Sequence, residues 1–341
     1  MILKKVFFMK ILFIVKENPD SGIRVYADIV AKELIKRGIK VNVDCKLNES
    51  YDLVHVHSCR PENLARMKLH QPHTPVVTST HMTSGEVQGL VPDMVLSMLD
   101  FGLSTFYASC EKVCVTSPHI MKELSKNSLL SKKLVSLPYP LDKNRFPKVS
   151  TKEINAFKRK YNLNNGKKTI LCVASIQYRK GVFEFANAAK DLHEYNFVWV
   201  GKIPTVPYLK NKNEINELVL KNKSSNLTFT GALYKKDLAC AYSMCDLFWL
   251  PSFSETFGLV IIEAASFGKP VLIRNIPVKE MFTGFVQTYS STPNEKIIQI
   301  LEDKKLYLKL KKEAISTINK FSIDKHIDIL IKEYKKVANE K

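Results

Sequence analysis

Short apolar runs rich in Val, Ile and Leu alternate with amphipathic stretches along almost the whole chain. In the first half these runs are ILFIV (11–15), VNVDC (41–45), DLVHVH (52–57), VVTST (76–80), KVCVT (112–116) and KLVSL (133–137). Apolar runs of strand length that are separated by helical stretches are typical of a parallel sheet covered on both faces. The stretch 24–38 has the spacing of such a covering helix and ends at Gly38. The first half is therefore predicted to be a doubly wound α/β domain.

The second half repeats this pattern after a polar stretch over residues 139–168. Its apolar runs are TILCVAS (169–175), FVWVG (197–201), LTFTG (227–231), DLFWL (246–250) and PVLIR (270–274). A chain of 341 residues is long enough to build two cores. We therefore expect two Rossmann-like domains that face a cleft, with ligands bound beyond the carboxyl ends of the strands.

Charge is the unusual property of the composition. The chain has 52 Lys and Arg against 33 Asp and Glu, a formal net charge of +19. This excess favours an anionic partner, such as a phosphorylated substrate, an anionic membrane or a nucleic acid. Residues 1–150 hold 21 basic and 14 acidic residues, so the excess is spread over both halves. It forms no aromatic-rich basic stripe of the kind that binds nucleic acid, which is therefore the least favoured partner.

The cysteines and the N-terminus bear on the compartment. The seven cysteines, at 45, 59, 110, 114, 172, 240 and 245, include no Cys-x-x-Cys pair, which predicts reduced thiols in a cytoplasmic protein. Lys10 interrupts the first apolar run and no cleavage site follows, so a signal peptide is not expected. Residues 1–8 are interpreted as a start-site extension before Met9, or as a segment on a membrane surface. No apolar window is long enough to predict a spanning helix.

Two glutamates, Glu255 and Glu263, lie in the segment PSFSETFGLVIIEAASFGKP (251–270). Glu255 is expected at the boundary between a loop and a helix, with Gly258 beside it, and Glu263 two helical turns later. Carboxylates accept hydrogen bonds from sugar hydroxyls, and the amides of a helix N-terminus favour phosphate oxygens. The segment therefore favours a polyhydroxylated, phosphorylated ligand over the alternative of a capped surface helix.

A second candidate loop follows the first apolar run, where Ser21 and Gly22 precede a helix with Arg24 near its start. A glycine at such a turn lets the backbone approach a ligand, and a helix N-terminus favours anions. A plain N-cap turn explains the same residues equally well. Both interpretations of this loop stay open.

Together these segments resemble the family-four retaining glycosyltransferases, which have the GT-B fold. The resemblance runs in order over nearly the whole chain. It covers the first strand, glycine loop and helix (10–38), the acceptor-side strands DLVHVHS and VVTSTHM, the domain-closing segment LPYPLDKNRF, the donor phosphate loop VASIQYRKGVFEFANAAK, the nucleobase loop LTFTGAL and the paired-glutamate segment. The sequences SIQYRKG and RNIPVKE are similar to those of the subgroup that glycosylates diacylglycerol glycolipids.

The chain departs from this family at two loops. The family often has Gly-Gly where this chain has Ser-Gly (21–22), and Gly-Arg where it has Ala-Ser (174–175). The arginine that contacts phosphate in the family is therefore absent. Arg179, beside Lys180, is expected to replace it, because a guanidinium group binds phosphate through two hydrogen bonds. The alternative for these two residues is a solvated helix start.

The resemblance implies the roles of the site residues. Glu263 would bind the donor ribose, and Glu255 the donor sugar. Lys180 and Arg179 would neutralise the diphosphate leaving group, which is the main means of accelerating glycosyl transfer. His81 would contact the transferred sugar. The predicted catalytic residues are Glu255, Lys180, Arg179 and His81, and the predicted donor-binding residues are Gly22, Phe257, Gly258, Leu259, Glu263 and Gly231.

Other polar residues receive weaker interpretations. His55 and His57 alternate with Val on one strand and are interpreted as structural or rim residues. No metal is expected, because the chain has no Asp-x-Asp motif. No cofactor is expected either, because the nucleotide-sugar is a substrate. Retention without an obvious nucleophile would fit front-face attack, in which the leaving phosphate takes the acceptor proton.

The resemblance also implies domain roles. Residues 1–150 would bind the acceptor, residues 151–320 would bind the nucleotide-sugar, and residues 321–341 would form a C-terminal helix that packs back toward the first domain. The expected donor is UDP-glucose or UDP-galactose, and the expected acceptor is a membrane glycolipid such as monoglycosyl-diacylglycerol. Transfer to a cell-wall or capsular polysaccharide precursor is the alternative.

The expected location is the cytoplasmic face of the cell membrane. There the apolar stretch 89–108 and the basic stretch 121–133 would meet anionic lipid. The alternative is that residues 89–108 form a helix of the core and residues 121–133 form a solvated helix.

Overall fold

The computed structural model describes residues 9–17, 21–44, 49–70, 74–81, 83–84, 93–142, 144–205, 209–222 and 224–339. Contacts divide the chain into two compact units, Met1–Pro140 with Ser322–Lys341, and Leu141–Phe321. The second unit begins at Leu141, whose N–H donates at 2.7 Å to the carbonyl of Phe321, the last residue of that unit. The interpretations of residues 1–8, 18–20 and 85–92 fall outside the described residues.

The first unit is built on a six-stranded parallel sheet. Its strands are β1 (Lys10–Ile14), β2 (Lys40–Val43), β3 (Leu53–Val56), β4 (Val76–Ser79), β5 (Lys112–Val115) and β6 (Leu134–Ser136). Their order is β2-β1-β3-β4-β5-β6, and every pair of neighbours is parallel. All residues of β3 and β4 are buried, as expected for continuous apolar strands that are covered on both faces. The six strands predicted for the first half are confirmed.

Five helices accompany this sheet within the first 140 residues of the described chain. They are α1 (Gly22–Lys36), α2 (Pro61–His70), α3 (Asp93–Ser109), α4 (Pro118–Leu124) and α5 (Ser128–Ser131). The hydroxyl of Ser21 accepts a hydrogen bond from the N–H of Arg24 at 3.1 Å and caps α1. Gly38 lies just beyond the other end of α1 with φ +83°, a conformation that favours glycine. The predicted helix end is therefore confirmed.

The second unit is also built on a six-stranded parallel sheet. Its strands are β7 (Thr169–Val173), β8 (Asn196–Val200), β9 (Leu227–Gly231), β10 (Leu247–Leu250), β11 (Val271–Arg274) and β12 (Val286–Tyr289). Their order is β12-β11-β10-β7-β8-β9. The sequence predicted five of these strands and missed β12. That strand has the sequence VQTY and buries only Tyr289, so it lacks the continuous apolar run by which the others were recognised.

Within the residues that the structure describes, seven helices belong to the second unit. They are α6 (Thr151–Lys160), α7 (Val182–Asp191), α8 (Lys212–Leu220), α9 (Lys235–Met244), α10 (Leu259–Ser266), α11 (Pro293–Glu302) and α12 (Lys304–Thr317). The start of α6 is fixed by a capping box, in which Ser150 and Glu153 bond each other's backbone N–H. No helix in the described part of the chain is long and apolar enough to cross a bilayer.

The last helix, α13 (Ile323–Asn339), belongs to the first unit. Its apolar and polar side chains both contribute to this packing. Leu330 and Tyr334 are fully buried, and the hydroxyl of Tyr334 lies 2.5 Å from Nδ1 of His55 on β3. At the surface, Arg37 pairs with Asp324 and Asp328 of α13, at 2.6 and 2.8 Å.

Candidate functional site

Two loops meet at the carboxyl edge of the second sheet, because β7 and β10 are neighbours in it. One loop joins β7 to α7 and contains a 3-10 turn over Tyr178–Lys180, and the other joins β10 to α10. Gly181 has φ +79°, and a Cβ built on it would lie 2.4 Å from the carbonyl oxygen of Pro251. Only glycine fits this contact. The N–H of Phe253 donates to the carbonyl of Arg179 at 2.9 Å, so the two loops are held together.

A buried ion pair joins the same loops. Nζ of Lys180 lies 2.5 Å from Oε1 of Glu255, and the two side chains are only 15% and 8% exposed. Nη1 of Arg179 donates to the carbonyl of Ser254 at 2.8 Å. Burial by itself would raise the pKa of Glu255, but the charges of Lys180 and Arg179 outweigh it and lower that pKa below its ordinary value. The site therefore holds an ionised carboxylate between two cations.

An aromatic stack that the sequence analysis missed supports this pair of loops. The rings of Tyr178 and Phe253 are nearly parallel, with centroids 5.5 Å apart. Lys210 lies over the Tyr178 ring and Arg274 over the Phe253 ring, at 4.2 and 4.1 Å from the centroids. Arg274 also pairs with Glu184 of α7 at 2.6 Å. The cations thereby hold both rings, and with them the backbone that carries Arg179 and Lys180.

The residues before α10 have separate structural roles. Gly258 has φ +79° and caps the helix, which begins at Leu259. Phe257 is fully buried and packs against the rings of Phe282 and Phe321. The expectation that Glu255 lies at the loop–helix boundary is therefore wrong, because the left-handed glycine delays the helix by four residues. Glu255 lies within the loop, and the first turn of α10 follows it, with the N–H of Ile261 donating to the carbonyl of Gly258 at 2.9 Å.

Glu263 lies inside α10 and is enclosed by two partners. Its side chain is 3% exposed, and its Oε1 pairs with the guanidinium of Arg145. The hydroxyl of Tyr242 donates to Oε2 at 2.8 Å. Burial first, and the charge of Glu263 second, raise the pKa of Tyr242 well above its ordinary value. The sequence analysis named neither partner, although Arg145 lies in the segment LPYPLDKNRF that it singled out.

Gly231 ends β9 at the same edge of the sheet. It has φ +74°, and its carbonyl accepts the N–H of Gly201 at 2.9 Å. A Cβ built on Gly201 would lie 1.9 Å from the carbonyl oxygen of Ala174. The ends of β7, β8 and β9 are therefore packed backbone to backbone. Eight of the ten predicted site residues lie in this second unit, and Gly22 and His81 lie in the first.

Gly22 is the first residue of α1, and among the described residues no atom lies within 4 Å of the position its Cβ would take. Close to it, Arg24 pairs with Asp28 at 2.9 Å and with Asp44 at 3.1 Å. Asp44, which follows β2, also accepts the N–H groups of Val15 and Lys16. Asp44 thus fixes the backbone at Val15 and Lys16, directly after β1.

His81 belongs to a buried cluster of histidines and tyrosines in the first unit. Its Nε2 lies 3.2 Å from Nδ1 of His57, and its Nδ1 contacts the hydroxyl of Tyr139. Burial lowers the pKa of His81 to about 3, so the ring is neutral. Both ring nitrogens are engaged, and contact with a transferred sugar stays a prediction that requires one of them to exchange partners.

Three more histidines complete this cluster. His55 and His57 are 0% and 1% exposed, so they are structural residues and not rim residues. Nε2 of His326, on α13, lies 3.0 Å from the hydroxyl of Tyr26. Burial lowers the pKa of His326 to about 4. In the described part of the chain, no group of three His, Cys, Asp or Glu side chains is arranged to hold a metal ion.

If Glu263 binds the donor ribose, as the resemblance implies, its replacement by alanine should raise the KM for the donor about tenfold or more, since a charged hydrogen-bond acceptor contributes roughly 1.5–3 kcal/mol. Tyr242→Phe is the matched control, because it removes one hydrogen bond to Glu263 and keeps the carboxylate. Steady-state kinetics and thermal unfolding should be measured together. A Glu263→Ala protein with wild-type donor KM and lowered Tm would show that Glu263 only anchors Arg145.

Comparison with known proteins shows that the chain is similar to glycosyltransferases. Residues 153–317 match the family described as glycosyl transferases group 1. The alpha-galactosylglucosyldiacylglycerol synthase of Streptococcus pneumoniae is 23% identical over 69% of this chain and 63% of its own length. The processive diacylglycerol alpha-glucosyltransferase of Acholeplasma laidlawii is 23% identical over 71% of this chain and 70% of its own. The chain thus spans about two thirds of the length of these relatives.

A relative with another kind of acceptor is also similar. The UDP-Gal:alpha-D-GlcNAc-diphosphoundecaprenol alpha-1,3-galactosyltransferase of Escherichia coli is 25% identical over 82% of this chain and 74% of its own length. Among solved structures, the sucrose-phosphate synthase of Thermosynechococcus elongatus superposes with a TM-score of 0.79, at 17% identity, over 98% of this chain and 100% of that one. Residues 153–317 therefore match the group 1 glycosyltransferases, and the chain has the GT-B fold.

Proposed function

We propose that this chain transfers a hexose, with retention, from UDP-glucose or UDP-galactose to a membrane glycolipid such as monoglycosyl-diacylglycerol. The observation that carries the proposal is the pairing of Lys180 with the buried Glu255, beside Arg179, at the carboxyl edge of the second sheet. Two cations at such an edge suit a diphosphate, and a carboxylate suits sugar hydroxyls. The relatives named as diacylglycerol glycosyltransferases support the acceptor class.

In the proposed reaction the bond between the sugar C1 and the diphosphate oxygen breaks, and a bond from C1 to the acceptor oxygen forms. The acceptor proton passes to an oxygen of the leaving diphosphate. Negative charge grows on the diphosphate as the sugar departs, so Lys180 and Arg179 act on the transition state more than on the bound donor. No cofactor takes part, and the nucleotide-sugar is a substrate. The second unit would bind this donor, and the first unit the acceptor.

Charge at the carboxyl edge of the first sheet favours an uncharged acceptor. Arg60 makes two hydrogen bonds to Glu17, at 2.8 and 3.0 Å. Arg66 lies 3.6 Å from the carboxylate of Asp44, which also pairs with Arg24. The three arginines described there are balanced by three carboxylates, those of Glu17, Asp28 and Asp44. In the second unit, by contrast, Lys180 and Arg179 share the single carboxylate of Glu255. This balance of charge supports a neutral glycolipid over the alternative of a diphosphate-linked wall or capsule precursor.

An exposed apolar face on α3 supports a membrane-borne acceptor. Met94, Met98 and Phe101 are 74%, 68% and 75% exposed and lie one helical turn apart on one side. The neighbouring α5 exposes Leu129 by 70% and is flanked by exposed lysines. Apolar side chains beside lysines are typical of proteins that lie on anionic membranes. We therefore place the protein on the cytoplasmic face of the cell membrane, held as a peripheral protein.

The experiment that tests the function is a transfer assay with labelled UDP-glucose and UDP-galactose. Monoglycosyl-diacylglycerol and a diphosphate-linked lipid sugar are offered separately in the same detergent. We expect label in the neutral glycolipid, and we expect an α-glycosidase to release it, because retention preserves the α linkage of the donor. Label only in the diphosphate-linked lipid would contradict the acceptor proposal, and a β-linked product would contradict retention.

A further inference from the structure

Helix α12 concentrates positive charge that neither the donor nor the α3 face uses. Its 14 residues, KKLYLKLKKEAIST, include five lysines and a single glutamate. Lys304, Lys305, Lys309 and Lys312 are exposed. The glutamate, Glu313, lies 3.9 Å from Lys309. Among the described residues, this is the only ion pair that these four lysines form. The helix therefore carries a large uncompensated charge.

Lysines and apolar side chains share one side of this helix. At 100° per residue, positions 305, 308, 309, 312 and 315 fall within about 120° of the helix circumference. Leu308 and Ile315 lie on this side and are 54% and 57% exposed. The opposite side buries Leu310 and Ala314 and packs against α10 and α11. We call the exposed side, with Lys305, Leu308, Lys309, Lys312 and Ile315, the basic face of α12.

Two large aliphatic side chains between lysines cost free energy in water, because their apolar surface stays hydrated. At the boundary of a bilayer the same arrangement is favourable. Aliphatic side chains enter the acyl region there, while lysine side chains extend their ammonium groups to lipid phosphates. Single-stranded nucleic acid is bound instead by aromatic rings and arginines, and the exposed residues of α12 include neither.

We propose that the basic face of α12 binds the phosphate groups of anionic bilayer lipids and forms a membrane contact on the second unit. This proposal rests on the proposed membrane-borne acceptor, and it adds a contact beyond α3. The ammonium groups of Lys305, Lys309 and Lys312 bind the headgroups, and Leu308 and Ile315 enter between them. Such a contact would hold the donor-binding unit, and not only the acceptor-binding unit, at the bilayer surface.

The test compares co-sedimentation with vesicles of phosphatidylcholine alone and of phosphatidylcholine with phosphatidylglycerol, at low and high salt. The variant is Lys305→Gln/Lys309→Gln/Lys312→Gln. Each lysine near an anionic surface changes binding by roughly fivefold, so we expect loss of three lysines to weaken binding to the anionic vesicles roughly 100-fold. The matched control, Lys190→Gln/Lys212→Gln/Lys221→Gln, removes the same charge from exposed positions at α7 and α8 and should bind like the wild type.

A second variant, Leu308→Gln/Ile315→Gln, keeps all charges and should weaken the binding that remains at high salt. Transfer to an acceptor dispersed in detergent is measured for every protein and should stay at the wild-type rate. If the α12 lysine variant and the control lysine variant weaken vesicle binding equally, the net charge of the protein explains the binding, and the α12 contact is overturned. Wild-type binding by both α12 variants would overturn it as well. If the wild-type protein shows no transfer to the acceptor dispersed in detergent, the proposed function itself is contradicted.

Discussion

Lys180→Ala is expected to lower kcat about 100- to 1,000-fold, which is the usual loss when one group that stabilises transition-state charge is removed. Nζ of Lys180 lies 2.5 Å from Oε1 of the buried Glu255. The donor KM should change much less, because the charge on the diphosphate grows as the sugar leaves. Arg179→Ala should show a smaller defect, and steady-state kinetics with saturating donor measures both.

A control is needed, because Lys180→Ala also leaves Glu255 as a buried carboxylate without its main partner. Such a change can cost about 3–5 kcal/mol of unfolding free energy. In Lys180→Ala/Glu255→Gln the remaining side chain is neutral, so stability should recover while kcat stays low. Lys180→Arg keeps the charge and should retain part of the activity. Full activity of Lys180→Ala would show that the phosphate loop has been placed wrongly.

The first unit is expected to lose roughly 4 kcal/mol of unfolding free energy between about pH 7.5 and about pH 5 from His81 and His326 alone. Burial lowers their pKa values to about 3 and about 4, whereas both groups titrate near 6.5 in the unfolded chain. Below about pH 6.5 the two histidines bind protons in the unfolded chain, whereas in the folded unit they stay neutral until the pH approaches their lowered pKa values. Their stabilising contribution is therefore complete above about pH 6.5 and falls as the pH drops toward 4.

Two further histidines act in the same direction. Burial, reinforced by the charges of neighbouring histidines, lowers the pKa of His55 and of His57 well below the ordinary value. Denaturant unfolding at several pH values, followed by hydrogen exchange in peptides from β3 and β4, measures the stability of this unit. His326→Gln should reduce its pH dependence by about 1.4 kcal/mol per pH unit near pH 5. A first unit with equal stability at neutral and acid pH would contradict the prediction.

Local patterns predicted most of the secondary structure for a physical reason. A strand buried on both faces must be apolar at every position, and a helix that covers a sheet must repeat its apolar residues every three to four positions. The sequence analysis missed β12, because an edge strand that is only partly buried does not need a continuous run of apolar residues. The start of α10 was predicted too early. Gly258 has a left-handed backbone conformation, and the helix begins only after it. The spacing of apolar residues does not reveal such a conformation.

By itself the sequence determined the parallel α/β architecture and the loops in which Lys180 and Glu255 are found, since these depend on residues close together along the chain. Only the tertiary structure decided what those side chains touch. Arg145 and Glu263 are separated by 118 positions, and His55 meets Tyr334 across 279. Both pairs depend on which helices return to which sheet. Burial in that packing, and not residue type, made Glu263 an enclosed carboxylate and four histidines neutral.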